Sequence, residues 1–299
     1  MSTIDTVLTL AAAHGLELRA EGATLSEAGL DYRVVMAEAA TGERWVLRVP
    51  RRTDVSEGMA AEARILDLVG AALAADRVAV PDWRVRAPDL IAYPALPGTP
   101  GLTLTPDGEP VWHMDPADPG YAERLGRLLA RLHSITADQA ATAGVEVRTP
   151  TQVRDSWASD ILRVREEFTV ATALSESWQT WLDDDSCWPE QTVMTHGEIY
   201  PAHVLLDEDG TITGVLDWTT ARVDDPARDL AAQYGAAGED MLQASIAAYA
   251  RAGGQTYPGL AAQARHLWNA SPIGYALYAL TTRAEADLTA AAAMVNPGN

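Results

Sequence analysis

Several ionisable side chains fall within the short stretch from Val193 to Leu230, and the chemistry of four of them suits cation binding and the orientation of a hydroxyl group. Glu198 and Asp217 carry carboxylates, whereas His196 and His203 carry imidazoles. A carboxylate can bind a divalent cation or accept the hydrogen bond of a substrate hydroxyl, and both roles need a backbone that fixes the side chain. This stretch is therefore the first candidate for a functional site.

A β-hairpin is predicted to position these side chains. Asp209-Gly210 indicates a tight turn, because both residues tolerate positive φ. The return strand ends just before Asp217, so we expect Glu198, His203 and Asp217 to converge on one edge of the hairpin. The strands predicted around this segment are 193–195, 204–206 and 212–216.

The order and spacing of these residues resemble the catalytic segment of kinases. A kinase carries His-x-Asp, then a metal-binding Asn five residues after that Asp, then an Asp that holds Mg²⁺. Here the matching positions are His196-Gly197-Glu198, His203 and Asp217-Trp218. Residues 225–230, with the sequence DPARDL, resemble the DPxxDLA segment of the antibiotic kinases.

A narrower resemblance is to the macrolide 2′-phosphotransferases, within the aminoglycoside phosphotransferase-like kinase family. It rests on residues 200–207 (YPAHVLLD) and 217–223 (DWTTARV). A histidine in the Asn position, here His203, separates macrolide kinases from most aminoglycoside kinases. The chain departs from the family pattern in two places: Glu198 stands where a catalytic Asp is usual, and Thr219 or Thr220 stands where a Glu is usual.

This resemblance implies both a fold and a reaction. The implied fold is a two-lobed, protein-kinase-like α+β fold with a small β-sheet lobe and a mostly helical large lobe. Residues 1–98 would form the nucleotide-binding lobe, with a hinge near 91–98, and residues 99–299 the catalytic and substrate-binding lobe. The implied reaction transfers the γ-phosphate of GTP (or ATP) to the 2′-hydroxyl of the amino sugar of macrolide antibiotics, with Mg²⁺ as cofactor, and so confers antibiotic resistance.

The resemblance also implies roles for the residues of the catalytic segment. Glu198 would accept a hydrogen bond from the acceptor hydroxyl and orient its oxygen. Asp217 and His203 would hold Mg²⁺, although this hard cation prefers oxygen ligands, so His203 could act instead through water or on a phosphate oxygen. His196 and Asp229 would support the catalytic loop, with Asp229 accepting hydrogen bonds from it.

Nucleotide binding is assigned by the same resemblance to the N-terminal part of the chain. Arg48 takes the position of the phosphate-binding lysine, and its guanidinium offers a charged fork of donors that suits phosphate. Glu62 is its expected partner, with Glu57 as a rival. The loop 26–31 would cover the phosphates. The further nucleotide-binding candidates are Ser26 and Gly29 in that loop, and Tyr93, Ala95 and Leu96 in the hinge.

An apolar wall is needed for a large macrolactone ring, and an acidic cleft for the cationic amine of its sugar. Taken singly, each candidate wall residue is more typical of the core than of a binding surface. The candidates are Met241, Trp268, Pro272, Ile273, Tyr275 and Tyr278.

Composition excludes several other classes of function. The formal net charge is −20, from 42 acidic and 22 basic residues, which argues against nucleic acid and anionic membrane surfaces as partners. Cys187 is the sole cysteine, so the chain has no disulfide framework. No apolar run is long enough for a membrane span or a secretion signal, so we expect a cytoplasmic protein. We also expect it to be a monomer.

Other regions of the chain show helical or strand periodicity. Leu125, Leu128, Leu129 and Leu132 form an apolar helical stripe, and the helix that carries them ends near His133, which we expect to pack in the interior. The predicted helices are 4–14, 57–72, 121–135, 153–172, 175–182, 229–234, 239–251, 260–268 and 272–283. The other predicted strands are 16–20, 32–37, 45–49 and 78–81 with 83–85, and residues 90–96 form an apolar stretch that contains the expected hinge.

Three other functions compete with that of a macrolide kinase. One is a kinase for another cationic small molecule, such as an aminoglycoside or a choline-like amine. A second is a non-catalytic, kinase-fold binding protein, because Glu198 replaces the usual Asp. The third, a zinc deaminase, shares His196-x-Glu198 but needs a downstream Pro-Cys-x-x-Cys. Since Cys187 lies upstream and stands alone, the deaminase is rejected.

Overall fold

The computed structural model describes residues 3–27, 31–105 and 107–297. Its N-terminal part is a helix followed by a sheet with one long helix inserted. The elements are α1 (Thr3–Ala13), β1 (Leu18–Ser26), β2 (Tyr32–Ala39), β3 (Arg44–Pro50), α2 (Thr53–Leu73), β4 (Val85–Ala87), β5 (Leu90–Pro94), β6 (Thr99–Pro100), β7 (Leu102–Leu104) and β8 (Pro110–Trp112).

The remainder of the chain is mainly helical. Its elements are α3 (Pro119–His133), α4 (Ala137–Thr142), α5 (Pro150–Glu167), α6 (Thr172–Asp183), β9 (Val193–Thr195), β10 (Val204–Leu206), β11 (Ile212–Val215), β12 (Arg222–Asp224), α7 (Arg228–Arg251), α8 (Leu260–Asn269), α9 (Ser271–Thr282) and α10 (Glu285–Val295). No helix in the described part of the chain has the length and apolar character needed to cross a membrane.

The chain divides into two compact units that interleave along the sequence. The first comprises Met1–His113, Ala143–Val145 and Pro201–Thr219, and the second Met114–Thr142, Glu146–Tyr200 and Thr220–Asn299. The sequence predicts a boundary at residue 98 between a nucleotide-binding lobe and a substrate-binding lobe. That boundary is defined by what each lobe binds, and it stays a prediction.

The first unit is built on a five-stranded antiparallel sheet with strand order β1-β2-β3-β5-β4. Alternation along the strands places Val35 and Leu47 on the face that α1 covers, where Val7 and Ala11 complete the core. A second small sheet joins β6, β10 and β11. Asp207 accepts hydrogen bonds from the backbone of the β10–β11 turn, which fixes the hairpin that precedes Asp217.

The second unit packs helices around the short β9–β12 pair. In α3 the predicted leucine stripe is buried, and Asp118 caps the helix by accepting from Gly120 and Tyr121. The helices predicted over 229–234 and 239–251 form α7, whose backbone is interrupted at Gly238, with φ 77° and ψ −169°.

Two predicted elements differ from the structure. The strand expected over 78–81 and 83–85 is reduced to a single bridge between Ala79 and Gly214, and β4 begins only at Val85. Pro81 has no N–H to donate to a ladder, which explains the break. The helix expected to reach residue 172 ends at Glu167, because Phe168 adopts an extended backbone with φ −128° and ψ 148°.

Candidate active site

A buried ion pair between β3 and α2 forms the first part of the candidate site. Arg48 Nη1 donates to Glu62 Oε1 at 3.0 Å, and the two side chains are only 7% and 4% exposed. Arg48 faces α2 because it follows Leu47, which faces α1. Glu62 lies within the buried stripe of α2, among Met59, Ile65 and Leu66. The rival Glu57 is exposed.

Aromatic rings and carboxylates surround the Arg48 guanidinium. Its Cζ lies 3.9 Å from the centroid of the Tyr32 ring, a cation–π contact. Burial acts to lower the pKa of Arg48, but the charge of Glu62 first, and Tyr93 and Asp217 after it, raise the pKa above its ordinary value. Burial also raises the pKa of Tyr93 to about 12. The guanidinium is therefore a permanent cation in a rigid setting.

Asp217 and His203 belong to the same unit as Arg48. Arg48 Nη2 lies 3.9 Å from Asp217 Oδ1, and His203 Nε2 lies 3.9 Å from Asp217 Oδ2. Asp217 has a φ of 58°, a left-handed conformation that Asp tolerates better than most residues. Thr219 Oγ1 donates to the Asp217 carboxylate at 2.7 Å and fixes its rotamer. Both predicted metal ligands thus lie beside Arg48, the residue that is predicted to bind phosphate.

These residues fit Mg²⁺ as a partial coordination shell. In the described part of the chain no cluster of three or more His, Cys, Asp and Glu side chains could hold a metal by itself. Mg²⁺ in phosphoryl-transfer sites is commonly held by one or two carboxylates, with phosphate and water oxygens completing the shell. Asp217, with 36% of its side chain exposed, suits this role. The imidazole of His203 is the poorer ligand.

The loop that carries Glu198 lies in the second unit and is fixed by Asp229. Asp229 accepts from the backbone N–H groups of His196 at 2.8 Å and Gly197 at 2.6 Å, and it contacts His133 Nε2 at 3.1 Å. Burial acts to raise the pKa of Asp229, but these hydrogen bonds and the two histidines hold it below its ordinary value. Glu198 itself is exposed at the surface of this unit.

Two contacts around the loop were not foreseen from the sequence. Thr220 Oγ1 donates to the carbonyl of His196 at 3.0 Å, so Thr220, one of the two candidates for the position of the usual Glu, supports the loop. His133 is buried, as predicted, and its Nδ1 lies 3.0 Å from the Tyr249 hydroxyl. A histidine at a helix end was the sole sequence signal for this second contact, since Tyr249 lies 116 residues away.

The remaining nucleotide candidates are spread along the first unit. Ser26 is exposed at the end of β1, and Gly29 lies outside the described residues. Tyr93 is buried within β5, where it pairs with Val46 of β3. Ala95 and Leu96 follow β5 and are partly exposed. The N–H of Ala95 donates to the carbonyl of Arg44 at 2.8 Å, which leaves its own carbonyl as the group it can offer a ligand.

The candidate wall residues differ in exposure. Trp268 is 42% exposed and lies directly on Gly235, where a Cβ would come within 2.3 Å of the indole. Tyr275 and Tyr278 lie with ring centroids 6.1 Å apart. Met241 and Pro272 are partly exposed. Ile273 is 0% exposed, so it belongs to the core and presents no surface to a ligand.

Comparisons with known proteins bear on this arrangement. A family model described as the phosphotransferase enzyme family, APH, matches residues 23–262. The uncharacterized protein YcbJ of Bacillus subtilis strain 168 is 39% identical over 285 residues, which are 94% of this chain and 92% of YcbJ.

Solved structures of phosphotransferases also match the chain, over a larger share of its length. The apoenzyme of macrolide 2′-phosphotransferase MphH from Brachybacterium faecium is 49% identical, with a TM-score of 0.89 over 99% of this chain and 98% of that one. A macrolide 2′-phosphotransferase type I is 40% identical, with a TM-score of 0.90 over 100% and 99%. A GDP complex of aminoglycoside 2′-phosphotransferase-IIIa, at 16% identity and a TM-score of 0.74 over 97% and 96%, shares the fold alone.

These likenesses confirm the predicted kinase-like α+β fold, with a small antiparallel sheet in one part and mostly helices in the other. The match extends through the sheet that carries Arg48 and the segment that carries Glu198, and it covers both compact units. The chain therefore belongs to the phosphotransferase enzyme family, and it shares its fold and 40–49% of its residues with macrolide 2′-phosphotransferases.

Proposed function

We propose that this protein transfers the γ-phosphate of GTP or ATP to the 2′-hydroxyl of the amino sugar of macrolide antibiotics, and thereby confers resistance. The observation that carries the proposal is the likeness to a macrolide 2′-phosphotransferase at 49% identity over 99% of the chain. In the reaction the bond between the γ-phosphorus and the bridging oxygen breaks, and a bond to the 2′-oxygen forms. The hydroxyl proton is released, and the nucleoside diphosphate leaves.

The residues of the first unit bind the donor in this proposal. Arg48 places a fixed positive charge at the nucleotide phosphates, and Glu62 holds the guanidinium in one position. Backbone groups of Tyr93, Ala95 and Leu96 bind the purine edge, and Ser26 binds at the phosphates. Asp217, with His203 beside it, would hold Mg²⁺, which would supply charge neutralisation of the phosphate oxygens.

Glu198 accepts the hydrogen bond of the 2′-hydroxyl in this proposal and points its oxygen at the γ-phosphorus. Phosphoryl transfer depends on positioning more than on covalent help, so a longer carboxylate can serve if its loop is fixed. Asp229 supplies that support through its bonds to the His196 and Gly197 amides. The carboxylate of Glu198 is exposed in its unit, as a group that meets a substrate must be.

Recognition of the macrolide combines charge and apolar contact. The net charge of −20 favours the tertiary ammonium of the amino sugar over neutral or anionic acceptors. Trp268, Pro272, Tyr275 and Tyr278 offer partly exposed apolar surface for the lactone ring. We propose that the protein acts as a monomer. We place it in the cytoplasm, where nucleoside triphosphates are plentiful.

Incubation of erythromycin with the protein, Mg²⁺ and either GTP or ATP, followed by mass spectrometry, tests the proposal. We expect the drug to gain one phosphoryl group and the two donors to be ranked by product yield. Kanamycin serves as the comparison acceptor and should stay unmodified. If kanamycin alone is phosphorylated, the protein is a kinase for another cationic antibiotic. If neither drug changes, the variant Glu198→Asp is assayed. A lack of turnover with this variant as well would indicate a binding protein.

A further inference from the structure

We propose that Arg228 is a positioning residue for Glu198: its guanidinium supports the Gly197 peptide from a second direction and is held in place by the buried carboxylate of Asp224. The inference rests on the proposed function, since it concerns how the loop that carries Glu198 is kept in its working geometry. Arg228 is the residue next to Asp229, so two consecutive side chains at the start of α7 serve the same loop.

The contact with Gly197 is the central observation. A Cβ built on Gly197 would lie 2.6 Å from Arg228 Nη2 and 2.8 Å from the carbonyl oxygen of Thr220. Gly197 adopts a φ of 89°, which favours glycine, and its N–H is bonded to Asp229. The guanidinium therefore occupies the space that any side chain at position 197 would fill. Glu198 is the next residue in the chain. The backbone that carries it is therefore confined by two side chains: Asp229 binds the N–H of Gly197, and Arg228 packs against the α-carbon of Gly197.

Asp224 fixes the guanidinium at this position. Its carboxylate, 2% exposed, receives Arg228 Nη1 at 3.3 Å and Arg222 Nε at 2.5 Å, and Arg148 Nη1 lies 3.8 Å away. Three guanidinium groups thus share one buried carboxylate. Burial lowers the pKa of Arg228 and repulsion from Arg222 lowers it further, but a guanidinium stays charged at neutral pH.

This arrangement resists displacement of Arg228. The side chain is 13% exposed. Moving it away from Gly197 would leave the negative charge of the buried Asp224 carboxylate with less positive charge around it, in a place that excludes water. Lysine could keep the charge but lacks the planar fork that reaches Asp224 with one nitrogen and Gly197 with another. Methionine would keep much of the bulk and lose both the charge and the fork. The two substitutions therefore separate packing from charge and geometry.

The test compares Arg228→Met and Arg228→Lys with Arg148→Met as the matched control, because Arg148 shares Asp224 and none of its atoms is among the three nearest to a Cβ built on Gly197. We expect Arg228→Met to lower kcat by roughly thirtyfold or more, with KM for nucleotide and macrolide changed by no more than about threefold. Arg228→Lys should recover part of the rate. Arg148→Met should stay within about threefold of the wild type.

Hydrogen exchange at the loop amides provides a readout that needs no activity. We expect faster exchange at His196, Gly197 and Glu198 in Arg228→Met and unchanged exchange there in Arg148→Met. An unchanged kcat together with unchanged exchange in Arg228→Met overturns the inference, as does an equal loss in both methionine variants. If the wild type shows no turnover, the proposed function fails, and the exchange measurement still decides the inference. If Arg228→Met does not fold, Arg228→Lys is measured in the same two ways.

Discussion

Replacing Glu62 by Gln removes one charge of the buried pair and leaves the shape of the site almost unchanged. At the 3.0 Å that separates Arg48 Nη1 from Glu62 Oε1, Coulomb attraction is about 5–6 kcal/mol for an effective dielectric constant of about 20. The amide oxygen of Gln keeps a hydrogen bond to Arg48, and the cost of burying the Glu62 carboxylate disappears. We therefore expect a net loss of about 3 kcal/mol in the free energy of unfolding.

The function should suffer in a specific way. An Arg48 side chain that is held by a neutral amide instead of a carboxylate samples more conformations, so we expect the KM for nucleotide to rise roughly tenfold and the KM for macrolide to change by no more than about twofold. Urea unfolding followed by tryptophan fluorescence, together with steady-state kinetics, measures both effects.

Glu57→Gln is the matched control, because Glu57 lies on the same helix and is exposed. It should alter the free energy of unfolding by no more than about 0.5 kcal/mol. A Glu62→Gln protein as stable as the wild type, with an unchanged KM for nucleotide, would refute the conclusion that Glu62 holds Arg48.

Two further predictions concern the second unit. Burial raises the pKa of Asp225 from 3.8 to about 7, so the folded protein holds a proton there that the unfolded chain releases near pH 3.8. The stabilisation from this proton is complete below pH 3.8 and is lost as the pH rises through about 7. Asp225→Asn cannot ionise, so this variant should gain stability relative to the wild type between about pH 5 and about pH 8. Urea unfolding measures the difference. Gly235→Ala should displace Trp268, cost about 1–3 kcal/mol in thermal unfolding and raise the KM for macrolide, because a Cβ would lie 2.3 Å from the indole.

Each of these predictions has a control within the chain. Asp209→Asn changes an exposed carboxylate and should alter the free energy of unfolding by no more than about 0.5 kcal/mol. Gly274→Ala adds a methyl group on α9 where nothing lies within 4 Å, and should be neutral or stabilising by up to about 1 kcal/mol. If the difference in stability between Asp225→Asn and the wild type did not depend on pH, the first expectation would be contradicted. A Gly235→Ala protein more stable than the wild type would contradict the second.

Local patterns were sufficient to predict the elements that carry the site. The β10–β11 hairpin follows from its turn residues, and the α3 helix from its leucine stripe. The buried position of Glu62 also has a local signal, since it falls in register with the apolar residues of α2. Such features depend on residues that are neighbours in sequence, so periodicity and turn chemistry are enough to find them.

Other features depend on contacts that no local pattern contains. The Tyr249 hydroxyl reaches His133 from another helix, and the burial of Ile273 follows from how α9 packs. The alanine-rich helix α10 was not predicted, because its sequence lacks an apolar stripe that differs clearly from its other faces. Asp224 and Arg228 are four residues apart, and this spacing was the one sequence signal that Arg228 could support the loop of Glu198. The signal can be interpreted only when the position of Gly197 is known.

Transfer of the γ-phosphate to erythromycin, with the product located by NMR, tests the central claim most directly. The wild type and Glu198→Gln are assayed side by side with Mg²⁺ and GTP or ATP. We expect phosphate on the 2′-oxygen with the wild type, and a rate lower by about a hundredfold or more with Glu198→Gln, because a neutral amide accepts the hydrogen bond of the hydroxyl more weakly than a carboxylate does. An unmodified drug with the wild type, phosphate at another oxygen, or an equally active Glu198→Gln protein would contradict the account.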